Sequence, residues 1–387
     1  MAAGIRSESS LAYIPGLDGV RALSVLAVIA FHFTASWASR LEAANEWWTG
    51  WTHLTRIGWT GVDVFFVISG FLIARVLARR PVRTLREYAA FLLRRARRLL
   101  PAYIACLLLV TLIAVICWRD SKVLANCGWL WTLSANVVLG FGDRAALVDA
   151  NLSMVHFWSL AVEWHFYAVF PLVLLFSRSS TRAALILVAL AVACRVTFMS
   201  AGLSDNATYA FTLCRIDALA MGVLLAAWID RGSERTVRIV ASVGAASFVA
   251  MLIVLAFTPG SFKPLVWVQS VGYTLLAASA AMMLAGLIRF PQCAVTRLLE
   301  AAPLTAIGRA SYSLYIWHLV FLPFITAFVA AKWPHASVGQ TYLITTLIAT
   351  VVTAGLAVVS YRLLEAAVLS RRSLGRRTAS DDASLQR

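Results

Sequence analysis

The chain has 387 residues, of which 61% are hydrophobic and 13% are charged, and its mean hydropathy is +0.80. Soluble globular proteins are roughly 45–50% apolar and about 25% charged. This composition therefore excludes a soluble enzyme, a secreted disulfide scaffold and a disordered chain. The formal net charge of +16 comes mainly from arginine. The side of the membrane on which these arginines lie must be settled before any partner is inferred from the charge.

Runs of about 20 mostly apolar residues are long enough to cross a bilayer as helices. The sequence contains ten such runs, which predicts an all-α, polytopic membrane bundle of about ten transmembrane helices. The predicted spans are 17–38, 59–78, 99–118, 156–176, 183–201, 209–229, 237–257, 265–288, 310–330 and 341–363.

An eleventh run, 121–141, is shorter and more polar, and the distribution of positive charge decides how to interpret it. With ten spans and the amino terminus inside, arginine collects on the inner side while Lys122, Lys263 and Lys332 all fall outside. Counting 121–141 as a span would move the arginines of the tail 371–387 outside, against the positive-inside rule. We therefore predict a re-entrant or interfacial helix at 121–141, two cytoplasmic termini, a membrane domain over 1–370 and a disordered basic tail. Topology then explains the net charge, so no nucleic-acid partner is expected.

Ionisable residues within a span cost about 2.5–3.5 kcal/mol on insertion scales, so each needs a reason. The first span carries Arg21 and His32. Eleven residues make three helical turns and about 20°, so both side chains lie on one face, about 16 Å apart along the axis. The structural alternative is an arginine that snorkels to the inner interface and a lone histidine bonded to a neighbouring helix.

The second span and the basic segment after it carry the next polar groups. Asp63 and Gly70 are seven residues apart and share a helix face, and a glycine there permits close helix approach. Two interleaved pairs of arginines, three residues apart, can each converge on one anionic group. Ordinary positive-inside charge is the alternative explanation of this cluster. The arginines are Arg94, Arg95, Arg97 and Arg98.

Polar residues also follow helical spacing in the fourth and ninth spans. The fourth span has one polar stripe, the ninth has another, and the sixth carries an acid–base pair near its outer end. That pair is either an ion pair that fixes helix register or part of a site, and Arg195 lies at mid-membrane in the fifth span. The stripes are His156, Ser159, Glu163 and Tyr167, then Ser311, Tyr315 and His318; the pair is Arg215 and Asp217.

Six segments occur in an order and at separations that resemble the membrane acyltransferase-3 family, which O-acylates bacterial surface and secreted glycans. The resemblance covers about 13 to 365. By this resemblance Arg21 and His32 match the family's Arg and His, and Arg94/Arg97 or Arg95/Arg98 match its Arg-x-x-Arg. Two motifs depart from the family pattern, at 163–167 and at 365–367. The segments are LDGVRALSVLAVIAFH, GVDVFFVISGFLI, RRARRLLP, HFWSLAVEWHFY, RIDALAMG and SYSLYIWH.

The resemblance implies an O-acyltransferase of the bacterial inner membrane, with cytoplasmic acyl-CoA as co-substrate and a polysaccharide, lipopolysaccharide or other glycan as acceptor. Acetyl-CoA is the donor that we expect. No metal-ligand spacing and no nucleophile elbow occurs in the sequence. No metal, no permanently bound cofactor and no second soluble domain are expected.

Transfer from a thioester to an alcohol requires a base, positioning and donors to the oxyanion. His32 is the candidate base, since imidazole titrates near neutrality, and Glu163 or Asp63 is the candidate carboxylate that orients it. Tyr167, Ser159, Tyr315 and Arg215 are candidate oxyanion donors. The remaining polar residues are candidates for substrate contact: His156, Asp217, Ser311 and His318.

The predicted depths divide these residues between two ends of the bundle. The arginines lie at the inner end and suit a polyphosphate, whereas His32, Asp63 and Glu163 lie in the outer half. We therefore expect the nucleotide inside and transfer near the outer face. The alternatives are a small cytoplasmic acceptor such as a macrolide, and a transporter of an anion or glycan; the paired broken helices of transporters are not evident.

Overall fold

The computed structural model describes residues 13–258 and 263–366, and the regular elements of these residues are helical. An isolated bridge joins Val148 and Ser153. The α-helices are α1 (Leu17–Ala35), α2 (Ala38–Glu42), α3 (Glu46–Arg56), α4 (Gly61–Arg79), α5 (Leu85–Cys117), α6 (Lys122–Ala125), α7 (Gly128–Trp131), α8 (Ala135–Phe141), α9 (Phe157–Ser177), α10 (Ser180–Ser200), α11 (Asp205–Ala210), α12 (Thr212–Trp228), α13 (Glu234–Phe257), α14 (Tyr273–Arg289), α15 (Ala294–Leu299), α16 (Ala302–Arg309), α17 (Ser311–Trp317), α18 (Leu322–Lys332) and α19 (Val338–Ser360).

The described part of the chain contains nine helical stretches long and apolar enough to cross a membrane. A tenth consists of α17 and α18, which are bent by 57° at the break between them. This confirms the prediction of a polytopic helical bundle with about ten spans. The prediction missed the break, which lies within the run 310–330.

The helix that carries the four clustered arginines is longer than the predicted span. Helix α5 has 33 residues, about 50 Å at 1.5 Å per residue, against a hydrocarbon core of about 30 Å. It begins at a capping box in which Thr84 accepts from the Glu87 backbone and the Glu87 side chain accepts from the Thr84 backbone. The arginines therefore lie on a continuous helix, and their three-residue spacing places alternate pairs on different faces.

The segment 121–141 is not the single helix that we predicted. It forms the three short helices α6, α7 and α8, and a turn at Leu133 has a left-handed backbone, with φ of 56°. A leucine in that conformation ends the helix before it. The segment is too interrupted to span the bilayer as one helix, as the charge distribution required.

Close approach between helices holds the centre of the bundle together. A Cβ atom at Gly70 of α4 would overlap the Leu219 carbonyl of α12, and a Cβ atom at Gly222 of α12 would overlap the Val67 carbonyl of α4. Gly19 of α1 and Gly308 of α16 make the same kind of backbone contact with α15 and α1. Small residues allow such backbone contact where apolar burial cannot drive helix association. The predicted role of Gly70 is confirmed.

The orientation of the bundle remains a prediction, as does the disordered tail, because 367–387 lie outside the described residues. A reporter fused after Arg387 is expected to stay in the cytoplasm, since ten spans and an inner amino terminus place both ends inside. Accessibility of the fused reporter to a membrane-impermeant reagent in intact cells measures this. A reporter fused within the outer segment 142–155 is the control and is expected to be labelled. Labelling of the carboxy-terminal fusion together with the control would contradict the predicted ten-span topology.

Candidate active site

Three histidines from three elements form a cluster. His32 is in the last turn of α1, His318 is in the turn after α17, and His156 directly precedes α9. Nδ1 of His32 lies 2.9 Å from Nε2 of His318, with ring centroids 4.9 Å apart. The His156 ring lies 4.7 Å from that of His318. His156 and His318 are buried and His32 is half-buried.

The break after α17 positions two of these histidines. Carbonyl groups in the last turn of a helix lack intrahelical partners. Here the Tyr315 carbonyl accepts a hydrogen bond from Nδ1 of His318 at 2.7 Å, and the Ile316 carbonyl accepts one from Nε2 of His156 at 2.9 Å. The bend in the span therefore creates the acceptors that orient both rings.

The polar stripe of the fourth span contacts different neighbours along its length. The Ser159 and Tyr315 hydroxyls are 2.6 Å apart, and the Tyr315 hydroxyl also donates to the His156 carbonyl at 3.2 Å. One turn further, Glu163 accepts hydrogen bonds from Ser69 of α4 and from Tyr167. The outer half of the stripe thus adjoins the histidine cluster, and the inner half does not.

The inner half of the stripe belongs to a second cluster, which we call the arginine cluster: Arg21, Arg95, Arg98, Glu163 and Glu365. Arg21 interacts electrostatically with the other members except Arg95, and Arg95 interacts with Arg98 and Glu163. The Arg95 guanidinium lies 6.0 Å from the Tyr167 ring centroid. Ser313 donates a hydrogen bond to Glu365.

Of the two arginine pairs left open by the spacing, one faces this cluster. Arg95 and Arg98 interact electrostatically with Tyr167, and Arg98 also interacts with Arg21. Exposure does not separate the pairs, because Arg97 and Arg98 are both exposed. Arg94 is half-buried beside Arg95. Arg95 and Arg98 are therefore the pair that the fold brings towards Arg21.

The structure does not bring Glu163 or Asp63, the predicted orienting carboxylates, to His32, whose ring is bonded to His318. Glu163 is occupied by Ser69 and Tyr167, and Asp63 pairs with Arg215. Glu163 also belongs with the inner arginines rather than with the outer groups at His32. It lies two turns along α9 from His156, and this axial offset of about 10 Å separates it from the histidines.

Two buried ion pairs join three helices, α4, α10 and α12. Arg215 donates to Asp63 at 2.6 Å, and Arg195 donates to Asp217 at 2.9 Å, with all four side chains fully buried. The Asp217 carboxylate also accepts from Thr274. An ion pair between Arg215 and Asp217 is excluded, because residues two apart on a helix do not face each other.

Aromatic rings surround the Arg215 guanidinium. Its Cζ atom lies 4.2 Å from the Tyr273 ring centroid, 5.2 Å from that of Tyr209 and 5.6 Å from that of Trp158. These distances are within cation–π range. Among the described residues, Arg215 Nε and Nη1, Asp63 Oδ2 and the Ser311 hydroxyl have no hydrogen-bond partner.

A family model described as an acyltransferase domain matches residues 14–362. The chain belongs to the membrane acyltransferase-3 family. The match covers the histidine cluster and every member of the arginine cluster except Glu365, which lies just beyond residue 362.

Curated relatives of this acyltransferase-3 chain include O-acetyltransferase OatA of Staphylococcus aureus strain COL, 30% identical over 379 residues. That match covers 91% of this chain and 57% of the relative. A putative O-acetyltransferase of the same strain is 26% identical over 358 residues, which cover 84% of this chain and 53% of the relative. The chain thus spans about half the length of the curated relatives it matches. No solved structure matches the chain.

Several residues of this acyltransferase-3 site were not predicted from the sequence as site residues. Ser69, Tyr209, Tyr273 and Thr274 contact predicted site residues, and Glu365 was noted only for a departure from the family motif. Hydroxyl and aromatic residues are common in membrane helices, so their presence in a span carried no signal. Glu365 is ionisable, and its charge at the end of the last span was the signal that could have identified it.

Proposed function

We propose that this chain is an integral-membrane O-acyltransferase, with acetyl as the acyl group, of the bacterial inner membrane. The proposed donor is cytoplasmic acyl-CoA and the proposed acceptor is a hydroxyl of a polysaccharide, lipopolysaccharide or other glycan. The single observation that carries the proposal is that helix α1 joins the two clusters: it contributes Arg21 to the arginine cluster and His32 to the histidine cluster.

The arginine cluster is the proposed site for the phosphates of acyl-CoA. Arg21, Arg95 and Arg98 are three permanent cations, and their planar donors suit bidentate contact with phosphate oxygens. Glu163 and Glu365 interact electrostatically with Arg21, and their negative charge offsets the repulsion among the arginines in the absence of the donor. The axial distance of about 16 Å from Arg21 to His32 is comparable with an extended pantetheine arm.

The proposed reaction uses His32 as the general base. His32 removes the proton from the acceptor hydroxyl as its oxygen attacks the thioester carbonyl, and a tetrahedral oxyanion forms. Collapse of this intermediate breaks the carbon–sulfur bond and releases the coenzyme A thiolate, which takes the proton from His32. Tyr315 and Ser159, which are bonded to each other beside the cluster, are the proposed donors to the oxyanion.

The decisive experiment incubates the purified full chain with acetyl-CoA labelled in its acetyl group, with and without cell-envelope glycan. Labelled glycan is expected, together with free coenzyme A in equal amount. Labelling of a small soluble acceptor such as a macrolide instead would replace the glycan assignment. Intact acetyl-CoA in every incubation would contradict the enzyme assignment and favour a transporter. Transporter repeats have two broken helices in corresponding positions. Among the described residues, only α17 and α18 form a bent pair.

Removal of the inward arginine pair is expected to weaken donor binding. In Arg95→Gln/Arg98→Gln, KM for acyl-CoA should rise at least several-fold with kcat little changed. Charge-assisted hydrogen bonds are worth about 1.5–3 kcal/mol each when desolvated and less where solvent screens them. Steady-state kinetics in detergent measure both constants.

Two variants accompany this measurement. Arg86→Gln removes one exposed arginine from the same helix and should leave KM unchanged, which controls for the loss of positive charge on α5 outside the cluster. Arg94→Gln/Arg97→Gln tests the other pair. A larger rise in KM for Arg94→Gln/Arg97→Gln than for Arg95→Gln/Arg98→Gln would contradict the assignment of the inward pair.

A further inference from the structure

A chain of hydrogen bonds runs from a backbone carbonyl through His318 to His32. Nδ1 of His318 lies 2.7 Å from the Tyr315 carbonyl, and Nε2 of His318 lies 2.9 Å from Nδ1 of His32. A neutral imidazole has one N–H donor and one acceptor nitrogen. A carbonyl oxygen only accepts, so it determines which nitrogen of the ring next to it carries the hydrogen.

The positions of the hydrogens follow along this chain. The hydrogen bond to the Tyr315 carbonyl requires a hydrogen on Nδ1 of His318, which leaves its Nε2 as an acceptor. Nδ1 of His32 must then donate to His318, so the hydrogen of His32 is on Nδ1 and its Nε2 carries the free lone pair. The bond of Nε2 of His156 to the Ile316 carbonyl assigns the opposite tautomer to His156.

We propose that His318 is a positioning residue, which holds His32 as the Nδ1–H tautomer and thereby makes Nε2 of His32 the atom that removes the acceptor proton. This inference rests on the proposed function for its catalytic meaning, but the tautomer itself does not. His318 thus takes the place of the carboxylate that commonly orients a catalytic histidine, while Asp63 and Glu163 are engaged elsewhere.

The same hydrogen bond supports the charged intermediate. When Nε2 of His32 has taken the proton, both of its ring nitrogens are donors, and Nδ1 still has the neutral acceptor of His318. The Val28 carbonyl, one turn earlier on α1, also accepts from the His32 ring, so the imidazolium has an acceptor from its own helix and one from His318. His318 therefore acts through His32.

Nitrogen NMR tests the tautomers without reference to activity. The full chain is labelled with ¹⁵N-histidine in a detergent or nanodisc, and single His→Gln variants assign the six histidines. At a pH where all three cluster histidines are neutral, His32 and His318 should show pyrrole-type Nδ1 and pyridine-type Nε2. His156 should show the reverse and is the internal reference.

Removal of the acceptor should release His32 from this tautomer. In His318→Phe, which keeps a ring of similar volume, the two nitrogen signals of His32 should move towards an average of the tautomers. In His318→Gln the amide oxygen can still accept, so the His32 signals should stay near those of the native chain. A protonated Nε2 on His32 in the native chain, or unchanged His32 signals in His318→Phe, would overturn the proposal.

Kinetics give the second readout. His318→Phe should lower kcat by about 10- to 100-fold, the range found for partners that orient metal-bound histidines through the second ring nitrogen, with KM for acyl-CoA unchanged. His318→Gln should recover most of kcat. His165→Gln changes a half-buried histidine bonded to Thr212 and is the matched control, for which kcat should be unchanged.

The two levels of inference fail separately. If the native chain transfers no acyl group, the proposed function fails while the NMR experiment still decides the tautomer. If the native chain is active and His318→Phe, shown to be folded by gel filtration, has native kcat, then the positioning role is wrong and the proposed function stands. Equal losses of kcat in His318→Phe and His318→Gln would also contradict a role that depends on the acceptor.

Discussion

Replacement of His32 by alanine is expected to lower kcat for acyl transfer by about 10²–10⁴-fold, the usual contribution of a general base. KM for acyl-CoA should change little, because Arg21 is three helical turns away on α1 and the other arginines of the cluster are on α5. Single-turnover kinetics with labelled acyl-CoA separate the chemical step from donor binding. A loss confined to the chemical step is the expected pattern.

The alternative for His32 is a purely structural hydrogen bond to His318. His32→Gln distinguishes the two roles, since a glutamine amide can still donate to Nε2 of His318 but does not accept a proton at neutral pH. A catalytic base predicts that His32→Gln is nearly as slow as His32→Ala and folds normally. Near-native turnover in His32→Gln would remove the base assignment and transfer it to His156 or His318.

The structure changes the result expected for combining Glu163→Gln with His32→Ala. An orienting carboxylate would make Glu163→Gln and His32→Ala non-additive, because the two groups would act as one unit. Since Glu163 contacts Ser69 and Tyr167 and interacts with Arg21, its substitution should instead act mainly on KM for acyl-CoA. The losses of kcat/KM in Glu163→Gln and in His32→Ala should therefore add as free energies in the double variant.

The largest expected effect on stability is at Arg215. Arg215→Met should lower the free energy of unfolding by about 3–5 kcal/mol, because it leaves Asp63 as a buried, uncompensated carboxylate. The midpoint of thermal unfolding in detergent, followed by intrinsic tryptophan fluorescence, measures the direction and relative size of the loss. The double change Asp63→Leu/Arg215→Met should recover most of the midpoint, since apolar replacement of a complete buried pair is often neutral.

An exposed ion pair in the same protein is the matched control. Arg289 lies 3.4 Å from Glu234, with 43% and 60% of the two side chains exposed, and exposed pairs contribute about 0–1 kcal/mol. Arg289→Met should therefore leave the unfolding midpoint nearly unchanged. Equal midpoints for Arg215→Met and Arg289→Met would show that the Asp63–Arg215 pair does not stabilise the fold.

The sequence predicted the elements well because membrane helices have a strong local signal. A run of about 20 apolar residues is visible without knowledge of the neighbours, and the side-chain spacing on α9 and α17 follows from helical geometry alone. Hence the ten crossings and the polar stripes that carry Ser159 and Tyr315 could be predicted from the sequence, whereas the contact between the two stripes could not. The break after α17 was missed, although Pro323 at the start of α18 is a residue type that commonly begins a new helix.

The spacing of residues along the sequence could not identify the ion-pair partners of the charged residues. Asp63, Asp217 and Glu163 each had more than one possible cation at a similar depth, and the choice among them depends on helix rotation and neighbour order. Asp63 meets Arg215 because α4 and α12 are adjacent, and Asp217 meets Arg195 because α10 packs on the other side of α12. A sequence specifies depth along a helix far more directly than the identity of the neighbouring helix.

The backbone contacts at Gly70 and Gly222 have a consequence for how the protein can move. Two helices whose backbones already touch cannot come closer, and a side chain at either glycine would force them apart. Asp63 and Arg215 stand on these two helices, and His32 stands on α1, which has its own glycine contact with α15. Any widening of the bundle that admits a bulky acceptor is therefore expected among the helices that lack such contacts, while α1, α4 and α12 keep their positions.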